Sequence, residues 1–248
     1  MSGYERFALY YDSLTEDVGY QRRAGFFNSL IKSRFPGAEL VLDLACGTGS
    51  LSLELSALGY DIIGVDASEH MLGVADSKRH LFKGPAMLLH QKAEALDLFG
   101  TVDVCICALD SLNHLPDEEA LSKAISRVSL FLNPKGIFIF DINTLYKHEH
   151  ILGCNAFVYE NDAIFCIWRN SLNHANKSVE IMLDFFEKSG KDSYIRHGEI
   201  FTEQYFSVSC VKSLLDFHGF ALFDIYDGDS FGAPDQKSQR LLFVAGKI

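Results

Sequence analysis

Ten residues, Val41-Leu42-Asp43-Leu44-Ala45-Cys46-Gly47-Thr48-Gly49-Ser50, run from an apolar strand into a glycine turn and on into a helix, and no other stretch limits the possible folds so tightly. Glycine is needed where a turn leaves ordinary φ/ψ space and where a ligand must reach the backbone with no Cβ in the way. A bare G-x-G also suits a tight turn that binds nothing, so its surroundings decide. Leu51, Leu55 and Leu58 follow at helical spacing, Gly59 stands where a helix C-terminus ends, and a second apolar run, DIIGVD, begins just past Tyr60. Ser68 is placed to cap a second helix with a buried stripe of Met71, Leu72 and Ala75.

The alternation continues through AMLLH, VDVCICAL, a helix over Glu118–Phe131 and GIFIFDIN. Runs this short and apolar on both faces read as buried parallel strands covered by helices. After about Thr144 the pattern changes to longer, aromatic, alternating segments (FVYE, AIFCIWRNSL, VEIMLDFFE, YIRHGEIFTEQYF), with turns expected at Asn161-Asp162 and over Lys188–Asp192. This predicts an antiparallel meander in which Val179, Ile181, Leu183 and Phe185 share one face. A helix over Val208–His218 and strands over Phe220–Tyr226 and Arg240–Ala245 then resume the helix–strand alternation of the first half. The fold class expected is α/β: a Rossmann-like, mostly parallel sheet with helices on both faces, a core of residues 1–147 and 208–248, and an antiparallel β insertion over 148–207 that covers a substrate.

The chain has 248 residues, enough to bury roughly 70 to 75% of its unfolded surface, so neither a disulfide nor a metal is needed to hold it. The six cysteines (Cys46, Cys105, Cys107, Cys154, Cys166, Cys210) form no C-x-x-C pair and no metal-ligand pattern, which suits a reducing cytoplasm. Cys105 and Cys107 lie in an apolar strand and read as small core hydrophobes; Cys46 is expected to turn its thiol into the core. The formal charge of −11, without a Lys/Arg block, argues against nucleic acid or an anionic membrane as partner. The acidic N-terminus does not resemble a secretory signal, and no apolar run is long enough to span a bilayer. A small-molecule partner is the default; a homodimer is compatible with the sequence, which carries no signal of oligomeric state.

The glycine turn departs from a dinucleotide fingerprint: Ser52 stands at the third glycine position, and an acid, Asp43, closes the first strand. An anion there repels a pyrophosphate and suits an ammonium group. Seventeen residues after Gly49, Asp66 ends the second strand, where a carboxylate can accept both hydroxyls of a ribose. A ribose and an ammonium without a pyrophosphate describe S-adenosyl-L-methionine.

With LDLACGTG as glycine motif, GVDAS-x-x-ML after it, KAEALDL and CALDSLNHL, the chain resembles the class I S-adenosylmethionine-dependent methyltransferases, in particular the small-molecule branch of glycine and amino-sugar N-methyltransferases. The resemblance implies a seven-stranded sheet whose last two strands are antiparallel. It further implies that Ala45, Gly47 and Gly49 border the methionine portion, Asp43 meets its amino group directly or through water, and Asp66 holds the ribose. Ala67 and Met71 would pack by the adenine, with Glu94 and Ala95 as its third motif, though the family usually has Asp there. Leu109 would line the sulfonium and Tyr11 close over the cofactor.

Methyl transfer from a sulfonium is an in-line displacement that gains most from orientation and exclusion of water, and it needs a base only when the nucleophile must lose a proton. His114 is placed to be that base or to orient the acceptor; a loop histidine that only bonds its neighbours fits the same sequence. Glu199, Glu203 and Tyr205 would share a strand face and reach the acceptor, while edge-strand solubility explains the acids equally well. Tyr159, Trp168, Tyr194 and Tyr205 are available to wall a pocket. Two other functions remain open at this level: an NAD(P)-dependent oxidoreductase, disfavoured by Asp43 and Ser52, and a nucleoside-binding module without turnover.

Overall fold

The computed structural model describes residues 7–160, 164–190 and 193–248. The turn at Asn161-Asp162, and Lys191-Asp192 of the next, lie outside the described residues. Helices α1 (Phe7–Leu14) and α2 (Tyr20–Arg34) precede β1 (Leu40–Leu44), α3 (Ser50–Ala57), β2 (Asp61–Asp66), α4 (Glu69–Ser77), β3 (Ala86–His90), β4 (Val102–Cys107), α5 (Glu118–Phe131) and β5 (Leu132–Asn143). Strands are apolar on both faces because helices cover both: on β1, Leu42 and Leu44 enter one core layer and Val41 the other.

Local signals set the helix limits. The Ser68 hydroxyl accepts the Met71 N–H at 3.3 Å, and Met71, Leu72 and Ala75 are buried. Asp117 caps α5 through the Ala120 N–H, with Glu118 and Glu119 in the favourable first turn. Leu51 and Leu55 are buried as expected, but Leu58 is exposed, because α3 ends at Ala57 and Gly59 follows at φ +97°.

The seven-stranded sheet has the order β10-β11-β5-β4-β1-β2-β3. Strand β1 pairs in parallel with both β2 and β4, so the chain winds outward in opposite directions from that junction and leaves a crevice above the carboxyl ends of β1 and β4. Strand β11 (Arg240–Lys247) is antiparallel to β5 and to β10 (Phe220–Asp227). The reversal therefore belongs to β11 alone, which corrects the expectation for the last two strands. Helix α6 (Val208–Phe217) carries the chain back across the sheet, so β10 enters in the common direction.

Strands β6 (Ala156–Glu160), β7 (Ile164–Leu172), β8 (Val179–Lys188) and β9 (Tyr194–Glu203) form a separate antiparallel sheet in sequence order. Val179, Ile181, Leu183 and Phe185 are buried on one face, each worth roughly 1.5–3 kcal/mol. They pack with Leu152 and with Phe7, Tyr10 and Leu14 of α1, so the N-terminal helix lies against the second sheet.

Candidate active site

The crevice above β1 and β4 holds a cavity of about 40 Å³, lined among others by Tyr11, Asp43, Ala45, Gly47, Thr48 and Leu109. That volume takes a water or two. Tyr11 of α1 and Tyr20 of α2 complete its lining. Five of the predicted site residues meet in this lining; Gly49, Asp66, Ala67, Met71, Glu94, Ala95 and His114 lie outside it.

The two glycines serve different ends. Gly47 sits at φ +55°, and a Cβ on it would enter open space, leaving room for a ligand against the backbone. Gly49, at φ +76°, would put a Cβ 3.2 Å from that of Ala75, so glycine suits both the left-handed backbone and the close approach of the turn to α4.

Asp43 is buried and accepts a short hydrogen bond from Ser52 Oγ. Burial pushes its carboxyl up to about 6 against that bond, with the Asp66 charge adding to the rise. Asp66 Oδ2 accepts the Gly47 N–H and Oδ1 the Ser68 N–H, both at 2.8 Å. It thus fixes the glycine turn and the start of α4 at once. Burial raises its carboxyl too, opposed by those bonds and by His90 and His114.

The loop after β4 is strained: Leu109 and Asp110 both adopt left-handed φ, +62° and +54°. Asp141, fully buried at the end of β5, accepts the Leu109 N–H at 3.0 Å and the Asp110 N–H at 2.6 Å, and Arg23 and Arg240 flank it at 3.8 and 3.5 Å. Burial works against the Asp110 charge, but Arg240, Lys147 and His114 hold that carboxyl well below the usual range. Sequence reasoning missed Asp141; an acid embedded in the apolar run GIFIFDIN was the available signal. It also missed Asp12, which accepts from Thr48, Ser50 and Lys78.

His114 is exposed, its ring 5.2 Å from that of Phe201 on β9. Glu94 lies near enough to Lys123 of α5 to favour its charge. The acids of β9 are buried rather than solvating an edge: Glu199 accepts the Phe7 N–H at 3.0 Å and Glu203 the Asn143 Nδ2–H at 2.7 Å. Tyr205 lies past the strand end, so it does not share their face. Of the four aromatics, Trp168 packs with Tyr159 at 6.3 Å, Tyr205 lies 6.2 Å from His148, and Tyr194 is exposed. A Cβ on Gly64 would lie 3.0 Å from Cys46 Sγ, and burial pushes that thiol well up, which argues against Cys46 as a nucleophile; Cys105 and Cys107 are fully buried core.

A glycine turn, a carboxylate closing each of two adjacent parallel strands and a crevice where the winding reverses define an α/β enzyme for a nucleoside cofactor that is not a dinucleotide. Residues 41–136 match the family described as methyltransferase domain. A protein named as a methyltransferase from Geobacillus sp. (strain WCH70) is 31% identical over 245 residues, covering 98% of this chain and 99% of that one. A glycine/sarcosine N-methyltransferase from Parasynechococcus marenigrum (strain WH8102) is 29% identical, over 85% of this chain and 73% of that one. The crystal structure of an S-adenosylmethionine-dependent methyltransferase from Clostridium acetobutylicum superposes with a TM-score of 0.87 at 29% identity, covering 98% of both chains. The chain belongs to the class I S-adenosylmethionine-dependent methyltransferases, and S-adenosylmethionine is its cofactor. The residues present suit that cofactor: a buried carboxylate for an ammonium, open space beside Gly47, and an acid at the end of β2.

Proposed function

We propose that the methyl group goes to a small-molecule amine or hydroxyl in the cytoplasm, with residues 1–147 and 208–248 as the catalytic core and residues 148–207 as the acceptor's cover. The observation that carries this reading is the open space beside Gly47, bounded by Asp43 on β1 and Leu109 after β4. Bound there, S-adenosylmethionine supplies an electrophilic methyl group on a sulfonium. Asp43 takes the amino group and Ala45, Gly47 and Gly49 border the methionine portion. Asp66 takes the ribose hydroxyls, while Ala67, Met71 and the Ala93–Ala95 turn with Glu94 edge the adenine. Leu109 holds the inner side of the sulfonium, Tyr11 roofs it, and His114 orients the acceptor or accepts its proton.

Calorimetry comparing S-adenosylmethionine and its demethylated product with NAD, followed by a methyl-donor consumption screen over small amines and alcohols, tests the reading. Heat with the first pair and turnover in the screen support it. Heat only with NAD would make the chain an oxidoreductase, and binding without any turnover a nucleoside-binding module.

A further inference from the structure

We propose that Asn113 is a positioning residue that joins the second sheet to the loop carrying Leu109 and His114, so that filling the space beside Gly47 is felt at Glu203. Asn113 is fully buried, and its amide is used at both ends: Oδ1 accepts the Asn143 N–H at 2.9 Å and Nδ2 donates to the Gln204 carbonyl at 2.7 Å. Its main chain adds two more links, accepting the Gln204 N–H at 2.6 Å and donating to the Asp110 carbonyl at 2.8 Å. Asn143 completes the circuit, since its Nδ2 donates to Asp110 Oδ2 and to Glu203 Oε2, both at 2.7 Å, while Oδ1 accepts from Lys147 Nζ at 3.0 Å.

From Glu203 to the Leu109-Asp110 turn there are therefore two hydrogen-bonded routes, one through Asn143 directly to Asp110 and one through Asn143 and then Asn113. Neither amide can rotate without leaving a buried polar atom unpaired, which costs about 1–3 kcal/mol. The loop and the exit of β9 consequently move together or not at all. The turn they share is the left-handed one beside the cavity, held in strain and hence sensitive to what occupies that space. Linkage makes the effect reciprocal: a ligand seated under the second sheet tightens cofactor binding by the factor that the cofactor tightens its own.

That the signal begins at a cofactor rests on the methyl-transfer reading; the coupling itself does not. Native-state hydrogen exchange on the full chain, resolved by mass spectrometry, separates the two. Without ligand, the amides of 109–114 and 203–206 should open with one shared free energy in the wild type and with free energies that no longer coincide in Asn113→Asp, which keeps the acceptor for Asn143 but sets a carboxylate against the Gln204 carbonyl, so that the main-chain link to Gln204 is strained and the Asn143 bridge to Glu203 is the one unperturbed tie. Saturating S-adenosylhomocysteine should slow exchange at 203–206 about tenfold in the wild type and less than about twofold in Asn113→Asp, with 109–114 protected in both. Gln204→Ala, whose links run through the main chain, should behave as wild type. A merely structural asparagine would lower stability while leaving the ligand-linked protection at 203–206 intact, and that result, or independent opening of the two segments in the wild type, would overturn the proposal. If S-adenosylhomocysteine produces no binding heat, the methyl-transfer reading fails and the ligand-free comparison alone decides the coupling.

Discussion

Asp12 on α1 accepts a hydrogen bond from Thr48 Oγ1 in the glycine turn at 2.6 Å, across a separation of 36 residues. The same oxygen accepts from Ser50 at 2.9 Å, and the other takes the Lys78 ammonium. Burial alone would raise the Asp12 carboxyl, yet these partners hold it below its ordinary value, which favours the charged form that ties α1 to the glycine turn.

Replacing Asp12 by Ala should release that tie. The variant is expected to lose about 0.5–1.5 kcal/mol of stability by denaturant titration. In stopped-flow binding, S-adenosylhomocysteine should dissociate roughly 3- to 10-fold faster, since interface changes act mainly on the off-rate. Unchanged binding kinetics would show that α1 does not gate the site.

Asp43 should act as a stability liability kept for binding. Its folded value of about 6 lies above the ordinary one of 3.8, so between pH 4 and 6 the folded chain holds a proton that the unfolded chain has lost. Stability contributed by this group accordingly falls as pH rises through that window, by roughly 3 kcal/mol in all, and the cost is complete above pH 6. Asp43→Asn can still accept from Ser52. It should melt higher than wild type at pH 7.5 by an amount equivalent to about 1–2 kcal/mol, and bind S-adenosylhomocysteine at least about tenfold more weakly. A lower melting temperature at pH 7.5 would refute the assignment.

Asp66→Ala removes the proposed ribose acceptor and also orphans the Gly47 and Ser68 N–H groups. Cofactor affinity is expected to fall by roughly 2–3 kcal/mol in calorimetry and stability by about 1–2 kcal/mol in urea. An intact affinity would mean that the ribose lies elsewhere.

His114 is exposed and packs on Phe201, so His114→Ala should fold normally. Its affinity for S-adenosylhomocysteine should stay within about threefold of wild type, while turnover with an acceptor found by the screen drops about 10²-fold or more, as for loss of a general base. Equal turnover in the two proteins would remove His114 from the chemistry.

What is local in this protein is legible in its sequence. The strand–turn–helix at Val41–Ser50, the Ser68 cap with its Met71, Leu72 and Ala75 stripe, and the shared face of Val179, Ile181, Leu183 and Phe185 each follow from the few conformations that glycine, a capping hydroxyl or a two-residue period allow. Those constraints act within a dozen residues, so spacing alone reveals them. Packing of distant segments settled the rest: that α1 lies on both the second sheet and the glycine turn, that Asp141 holds the strained Leu109-Asp110 loop, that β10 runs with the parallel strands, and that Glu199 and Glu203 are buried at a seam instead of solvated at an edge. The carboxylate contacts among these join partners far apart in the chain, 32 residues for Asp141 and Leu109 and 192 for Glu199 and Phe7. A carboxylate's role is set by which N–H groups and cations the packed chain brings to it, and no local pattern encodes that meeting.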